Sequence, residues 1–260
     1  MAQLEALLFD VDGTLADTER DGHRVAFNAA FAEVGLDWSW GIDLYGSLLR
    51  VTGGKERIRE YIRLHRPDFD PGEPMDRFVK DLHRRKTERY VEMMRAGAIP
   101  LRSGVLRLLR EAREAGVRLA IATTTTPENV DALLGSAAEP GLAGWFEVIA
   151  AGDVVPRKKP APDIYHLALR QLGLSPHACV AVEDSDNGMR SALDAGLDAL
   201  LITVSDYTAG QDFSDAPLVV DQLGEPEQPA RVLRGDLEGR GYVDLDALQR
   251  LHERVLGRGR

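Results

Sequence analysis

Short apolar runs and helical-period stretches alternate along most of the chain. The first run, residues 4–9, is stopped by Asp10-Val11-Asp12-Gly13-Thr14. A run this short, closed by polar residues and glycine, predicts a buried strand. From residue 103 the rhythm becomes regular. Ser103 is placed to cap a helix whose apolar positions Val105, Leu106, Leu108, Leu109 and Ala112 recur at helical spacing, and Gly116 stands where such a helix ends. Further strands are predicted at 117–122, 145–150, 178–182, 199–204 and 218–220. Helices are predicted from Pro160-Ala161-Pro162 to Gly173, and ending near Gly196. This alternation predicts an α/β fold with a doubly wound parallel sheet, a Rossmann-like core. Ligands of such sheets lie at the carboxyl ends of the strands. The polar groups after the first strand (Asp10, Asp12), after the second (Thr123) and at Glu183-Asp184, with Arg157-Lys158-Lys159 ahead of Pro160, are expected to meet there.

Residues 16–100 break the alternation. Helix-like patterns cover roughly 21–34, 55–64 and 77–96, with no convincing strand between them, so this block reads as an inserted α-helical cap domain. Beyond Gly224 the chain is rich in Pro, Gly and Arg, and ends in a helix near 244–256 with Leu245, Leu248, Leu251 and Val255 on a rough stripe. The expected division is an α/β core of 1–15 and 101–225, a cap of 16–100, and a linker with a C-terminal helix at 226–260. The linkers near 15–18 and 98–103 are expected to act as hinges.

Composition narrows the function. With 44% hydrophobic and 28% charged residues in 260, the chain can bury a real core. No apolar run reaches the ~18–20 residues needed to span a bilayer. The N-terminus lacks a basic signal-type region, and the single cysteine, Cys179, excludes an internal disulfide and a multi-cysteine zinc site, so a cytoplasmic location is expected. The net charge of -10 argues against a nucleic-acid partner, which requires a basic face. The excess acidity lies outside 16–100, where bases and acids are about equal. No membrane partner is expected, and a monomer is the default reading.

A lone Asp-x-Asp after a strand is commonly a turn or a helix cap, and a basic run such as 157–159 is commonly a solvated face. Their order changes the reading. Asp10-Val11-Asp12-Gly13-Thr14, Thr123, Lys159 and Glu183-Asp184 together resemble the haloacid dehalogenase superfamily of phosphotransferases, over residues 4–220. The inserted helices and the run from Lys159 to Tyr165 resemble its β-phosphoglucomutase-like branch. The stretches 17–24, 43–46, 53–57 and 152–156 look like the CbbY-like group, which is similar to xylulose-1,5-bisphosphate phosphatases of the Calvin cycle. One position departs: the family often has Asn three residues after the motif Thr, and here that residue is Thr126.

The resemblance implies a chemistry. Asp10 is the nucleophile; a carboxylate is already ionised at neutral pH and needs no base. A phosphate dianion repels it, by about 4 kcal/mol per like pair at ~4 Å in an effective dielectric of ~20. Magnesium answers this repulsion, held by Asp10 and Asp184 through side chains, Asp12 through its carbonyl, and Glu183 directly or through water. Asp12 is the general acid and base. Thr123 and the backbone around Thr124 hold phosphoryl oxygens, and Lys159 neutralises the charge spreading over them. Substrate selection is assigned to Glu19, Gly53, Gly54, Lys55, His83, Lys86, Thr124 and Thr126. For His83 and Lys86, three apart on one helix face, the alternative is a solvated surface. Trp38, Trp40 and Trp145 are expected in packing and Cys179 in the core. The expected activity is magnesium-dependent hydrolysis of a sugar phosphate or bisphosphate, with xylulose 1,5-bisphosphate foremost. A sugar-phosphate mutase uses the same Asp10 and Asp12, and an inactive binding member is the reading from another class. Dehalogenation is disfavoured, since a halide leaving group gives Asp12 no role.

Overall fold

The computed structural model describes residues 3–51, 54–152 and 154–257. In chain order its elements are β1 (Ala6–Phe9), α1 (Arg24–Glu33), α2 (Ile42–Leu48), α3 (Gly54–His65), α4 (Met75–Arg95), α5 (Val105–Glu114), β2 (Arg118–Thr123), α6 (Pro127–Ser136), β3 (Phe146–Ala151), α7 (Asp163–Leu172), β4 (Cys179–Glu183), α8 (Asp186–Asp194), β5 (Leu200–Thr203), β6 (Leu218–Val220), β7 (Val232–Arg234) and α9 (Leu245–Gly257). The chain divides into two compact units, Met1–Asp17 with Pro100–Arg260, and Thr18–Ile99.

The first unit holds a seven-stranded sheet of order β3-β2-β1-β4-β5-β6-β7, parallel except for β7. The fold is the predicted doubly wound α/β type, with the order reversing at β1. Strands β1, β4 and β5 are buried along their whole length, as a sheet covered on both faces requires. On one face α7 and α8 pack Tyr165, Ala168, Leu169, Met189 and Ala192 against Leu8, Ala122, Ala181 and Ile202. Alternate strand positions such as Leu7, Phe9 and Val182 point the other way, and α5 and α9 pack against β2 and β4. Phe9 pairs in register with both Ile121 and Val182. The carboxyl ends of β1, β2 and β4 are therefore level, and the residues that follow them share one edge.

Two expectations for this unit are corrected. Ser103 does not cap α5: Gly104 is the N-cap residue and its N–H donates to Glu225 Oε1 at 3.0 Å, so a carboxylate from far along the chain takes that place. The stretch after 225 is also more than a linker, because β7 pairs antiparallel with β6, and α9 belongs to the core. The Leu245 N–H donates to Glu111 Oε2 at 2.8 Å, and His252 Nε2 lies 2.8 Å from the His177 carbonyl. All three β7 residues are exposed, which left no burial signal to read.

The second unit is helical, as its pattern predicts, with α2 as an additional short helix. A π-helical turn, Thr18–His23, leads into α1. Its core is aromatic. Trp40 packs on Phe27, Phe31, Tyr45 and Tyr61, and Trp38 on Phe31, Tyr61, Phe69 and Phe78. Asn28 holds the Trp40 backbone by donating to its carbonyl at 3.0 Å and accepting from its N–H at 2.7 Å. Trp145, in the first unit, is half-buried beneath the Arg113 guanidinium, 4.7 Å from the ring centre. No helix among the described residues is long and apolar enough to cross a membrane.

Cys179 opens β4 with no exposed surface, and burial pushes its thiol up to about 12. Thiolate, not thiol, reacts with disulfide reagents. The native protein is expected to resist an aromatic disulfide reagent near neutral pH and to release one equivalent of chromophore only on unfolding. Rapid reaction of the folded chain contradicts this placement.

Candidate active site

Four of the expected residues converge in the first unit at the sheet edge. Asp10 follows β1, Glu183 ends β4 and Asp184 follows it, and the loop before α7 delivers Lys159. The Lys159 ammonium donates to Asp10 Oδ1 at 2.7 Å and to Glu183 Oε1 at 2.5 Å, with 8% of its side chain exposed. Burial alone would lower its pKa, but the charges of Asp10 and Glu183 and the hydrogen bonds to both hold it above its ordinary value. The lysine of the basic run is therefore an internal cation, while Arg157 and Lys158 beside it are exposed. Tyr165, on α7, donates to Glu183 Oε1 at 2.6 Å.

Carboxylates outnumber the cation between them. Asp10, Glu183 and Asp184 are all buried, and ligand oxygens from the three lie within 4.8 Å of one another. Burial, opposed by Lys159 and assisted by Asp10, raises Glu183 to about 7; burial together with Asp10 and Glu183 raises Asp184 well above the usual carboxylate range. Such crowding of hard oxygen donors fits a divalent cation, which would neutralise what one lysine cannot.

Two glycines let the acids come together. Gly13 has φ +83°, and a Cβ there would stand 2.1 Å from Asp184 Oδ2; a Cβ on Gly188 would stand 2.0 Å from Glu183 Oε2. Asp12 is half-buried on the turn that Gly13 shapes. In that turn the Val11 carbonyl accepts from the N–H groups of Thr14, Leu15 and Ala16 at 3.2, 2.9 and 3.3 Å. Ser205, beyond β5, donates to Asp184 Oδ2 at 3.3 Å.

Thr123 is buried at the end of β2, and its hydroxyl accepts from the Thr125 N–H at 3.2 Å. Thr124 and Thr126 are exposed. The Thr126 hydroxyl accepts from the Asn129 N–H at 3.4 Å and so caps α6, a helix that the run of four threonines concealed.

The remaining expected residues belong to the helical unit. Glu19 Oε2 accepts from the Tyr45 hydroxyl at 2.6 Å, and Arg57 donates to that hydroxyl at 2.9 Å. Lys86 is buried, donates to His23 Nδ1 at 2.8 Å, and lies 5.1 and 5.0 Å from the ring centres of Phe27 and Tyr90. Burial, Lys86 and Arg57 lower the His23 pKa far below its ordinary value, so its ring is a neutral acceptor. His83, half-buried, packs against Gly54, and burial with Lys86 and Lys55 lowers its pKa also. The solvated-face reading of Lys86 is thereby removed. Lys55 is exposed at the start of α3, and Gly53 lies outside the described residues. Arg57, Tyr45, Tyr165 and Ser205 were not among the expected site residues. Tyr45, Arg57 and Tyr165 stood within stretches that carry the resemblance but were given no role, and Ser205 stood in none.

The model for haloacid dehalogenase-like hydrolases matches residues 4–196. The chain belongs to this family. It is 53% identical over 221 residues to Protein CbbY of Rhodobacter capsulatus, covering 85% of this chain and 94% of that one. It is 46% identical over 255 residues to the plasmid Protein CbbY of Cupriavidus necator, covering 97% and 98%. Among solved structures, a CbbY variant from Rhodobacter sphaeroides in complex with xylulose-(1,5)bisphosphate superposes with a TM-score of 0.68 at 48% identity, over 85% of this chain and 95% of that one. The chain is thus an enzyme, a sugar phosphatase of the haloacid dehalogenase type. Hydrolases of this family use a divalent metal, and the acidic triad supplies donors that suit one.

The raised carboxyl groups set a pH dependence. In the metal-free protein the Glu183 proton contributes stability that is full below the ordinary value of 4.5 and is lost as pH rises through about 7. A cation held by Asp10, Glu183 and Asp184 would take the place of that proton, so its stabilisation would grow across the same window. The rise in Tm on adding a divalent cation is expected to be small near about pH 5, large above about pH 7, and lost in Asp184→Asn. A rise independent of pH contradicts the exchange.

Proposed function

We propose that this phosphatase hydrolyses a sugar bisphosphate, xylulose 1,5-bisphosphate foremost, with magnesium and through an aspartyl-phosphate on Asp10. The observation that carries the reading is the Lys159 ammonium shared between Asp10 and Glu183, which sets a cation against the buried Asp10 carboxylate just beyond β1. An Asp10 oxygen attacks phosphorus, the bond to the sugar oxygen breaks, and Asp12 gives that oxygen a proton. Asp12 then takes a proton from water, which attacks the same phosphorus and frees inorganic phosphate and Asp10. Lys159 follows the transferring group as its charge spreads, and the Thr123 hydroxyl and the Thr124 N–H are assigned to its oxygens. Asp10, Glu183 and Asp184, with the Asp12 carbonyl, are assigned to magnesium, which when bound neutralises charge on the phosphoryl oxygens.

Glu19, Gly53, Gly54, Lys55, His83 and Lys86 are assigned to the sugar and its second phosphate, together with Thr124 and Thr126. The sugar bisphosphate in the similar Rhodobacter sphaeroides structure supports this class of substrate. So does the balance of bases and acids through 16–100 in a chain of net charge -10.

Phosphate release across a panel of sugar mono- and bisphosphates, with and without magnesium, tests the reading. Release is expected to be highest for a pentulose bisphosphate, to need magnesium, to fall at least ~10³-fold in Asp10→Asn, and to fall about 10²–10⁴-fold in Asp12→Asn. Conversion of one sugar phosphate to its isomer without release would assign a mutase, and inactivity throughout would assign a binding role. Lys86→Met should raise KM for the bisphosphate by about tenfold or more, as loss of a charged hydrogen bond predicts. An unchanged KM removes Lys86 from the substrate.

A further inference from the structure

Among the described residues Arg102 is a second cation acting on the acidic triad, and no step described above uses it. Its side chain is 10% exposed, and its guanidinium reaches three separate stretches of backbone. Nη1 donates to the carbonyl of Gly13, to the Thr203 carbonyl at 3.0 Å and to the Thr203 hydroxyl at 3.2 Å. Nη2 donates to the carbonyls of Val204 at 2.7 Å and Asp221 at 2.8 Å. Nε lies 3.6 Å from Asp17 Oδ1. The residue itself is pinned, since its own N–H donates to the Leu15 carbonyl at 2.8 Å.

These partners adjoin two different parts of the site. Gly13 is the residue after Asp12, and its Cα is pressed against Asp184 so closely that no side chain fits. The peptide that fixes Asp12 is thus held between Asp184 on one side and Arg102 on the other. Thr203 and Val204 lead directly into Ser205, which donates to Asp184 Oδ2, while the Thr203 hydroxyl lies 3.5 Å from the Glu183 carbonyl. A single rigid fork therefore joins the turn bearing the acid/base carboxylate to the strand end that orients the acidic pair.

We propose that Arg102 is a positioning residue for the phosphatase reaction, fixing Asp12 against Asp184 by tying the Gly13 carbonyl to the ends of β5 and β6. The requirement is for the planar fork and not for charge alone. A lysine ammonium is a point charge with three donors on a flexible stem, and cannot serve carbonyls from the 13, 203–204 and 221 segments together. Misplacement of a reacting group by about 1 Å costs on the order of 100-fold in rate. Arg102 touches neither Asp10 nor Lys159, so substrate affinity should be spared.

The test compares Arg102→Lys and Arg102→Gln with the native enzyme on whichever sugar phosphate the native enzyme hydrolyses best. Both variants are expected to lose about 100-fold in kcat with KM changed less than about threefold. The loss should persist when activity is normalised to folded protein measured by circular dichroism. Guanidinium ion at millimolar concentration should partly restore kcat to Arg102→Gln and leave Arg102→Lys unchanged. Native kcat in Arg102→Lys overturns the proposal, because charge would then suffice. So does a loss confined to KM, and so does failure of both variants to fold, which makes the fork a support of the fold alone. Because native activity is the reference in every arm, an error in the proposed sugar leaves the comparison intact.

Discussion

A buried ammonium with too many carboxylates around it governs this molecule. Lys159 satisfies Asp10 and Glu183, while Asp184 stands against both acids with Ser205 and the more distant Arg102 to offset it. Like charges a few ångströms apart in a poorly solvated site are worth several kcal/mol, so the cluster is tolerable only protonated or with a cation bound. Everything nearby serves to make that congestion possible. The parallel register of β1 with β2 and β4 brings the acids level, and bare glycines at 13 and 188 give them room. The surrounding apolar strands and helices keep water from relieving the charge, which suits the cluster to a divalent cation.

Much of this was legible because the physical constraints were local. A strand covered on both faces must be apolar throughout, so β1, β4 and β5 stood out as short uninterrupted runs, and the motifs followed at their ends. What could not be read depended on the third dimension. The segment of β7 has no buried residue, and α2 is short and interrupted by Gly46. Ser103 had the right chemistry and position for a cap, yet Glu225 supplies the carboxylate, from 121 residues away from Gly104. Arg102 was equally hidden, since most of its partners are backbone carbonyls about 90 to 120 residues distant, and a carbonyl has no residue identity to recognise.

At Lys159 the order of motifs stands in for local specificity. Three consecutive bases normally mark a solvated face, and two of them, Arg157 and Lys158, are exposed. Only Lys159 turns inward, because the carboxylates at the sheet edge offset its desolvation. The sequence signal was therefore the set of acids elsewhere in the chain, in the right order, rather than anything in the basic run itself.

The helical unit poses the same question without a strand framework. Its core is already filled by Trp38, Trp40, Phe27, Phe31 and Tyr61, so packing does not call for a buried lysine. A methionine at position 86 could lie between Phe27 and Tyr90 without the desolvation of an ammonium or the need to keep His23 neutral. Replacing buried charge with apolar bulk is commonly neutral or stabilising. Arg57, buried and joined through Tyr45 to Glu19, carries a similar cost. Two internal cations are a stability burden, and an anionic ligand is a physical reason to bear it.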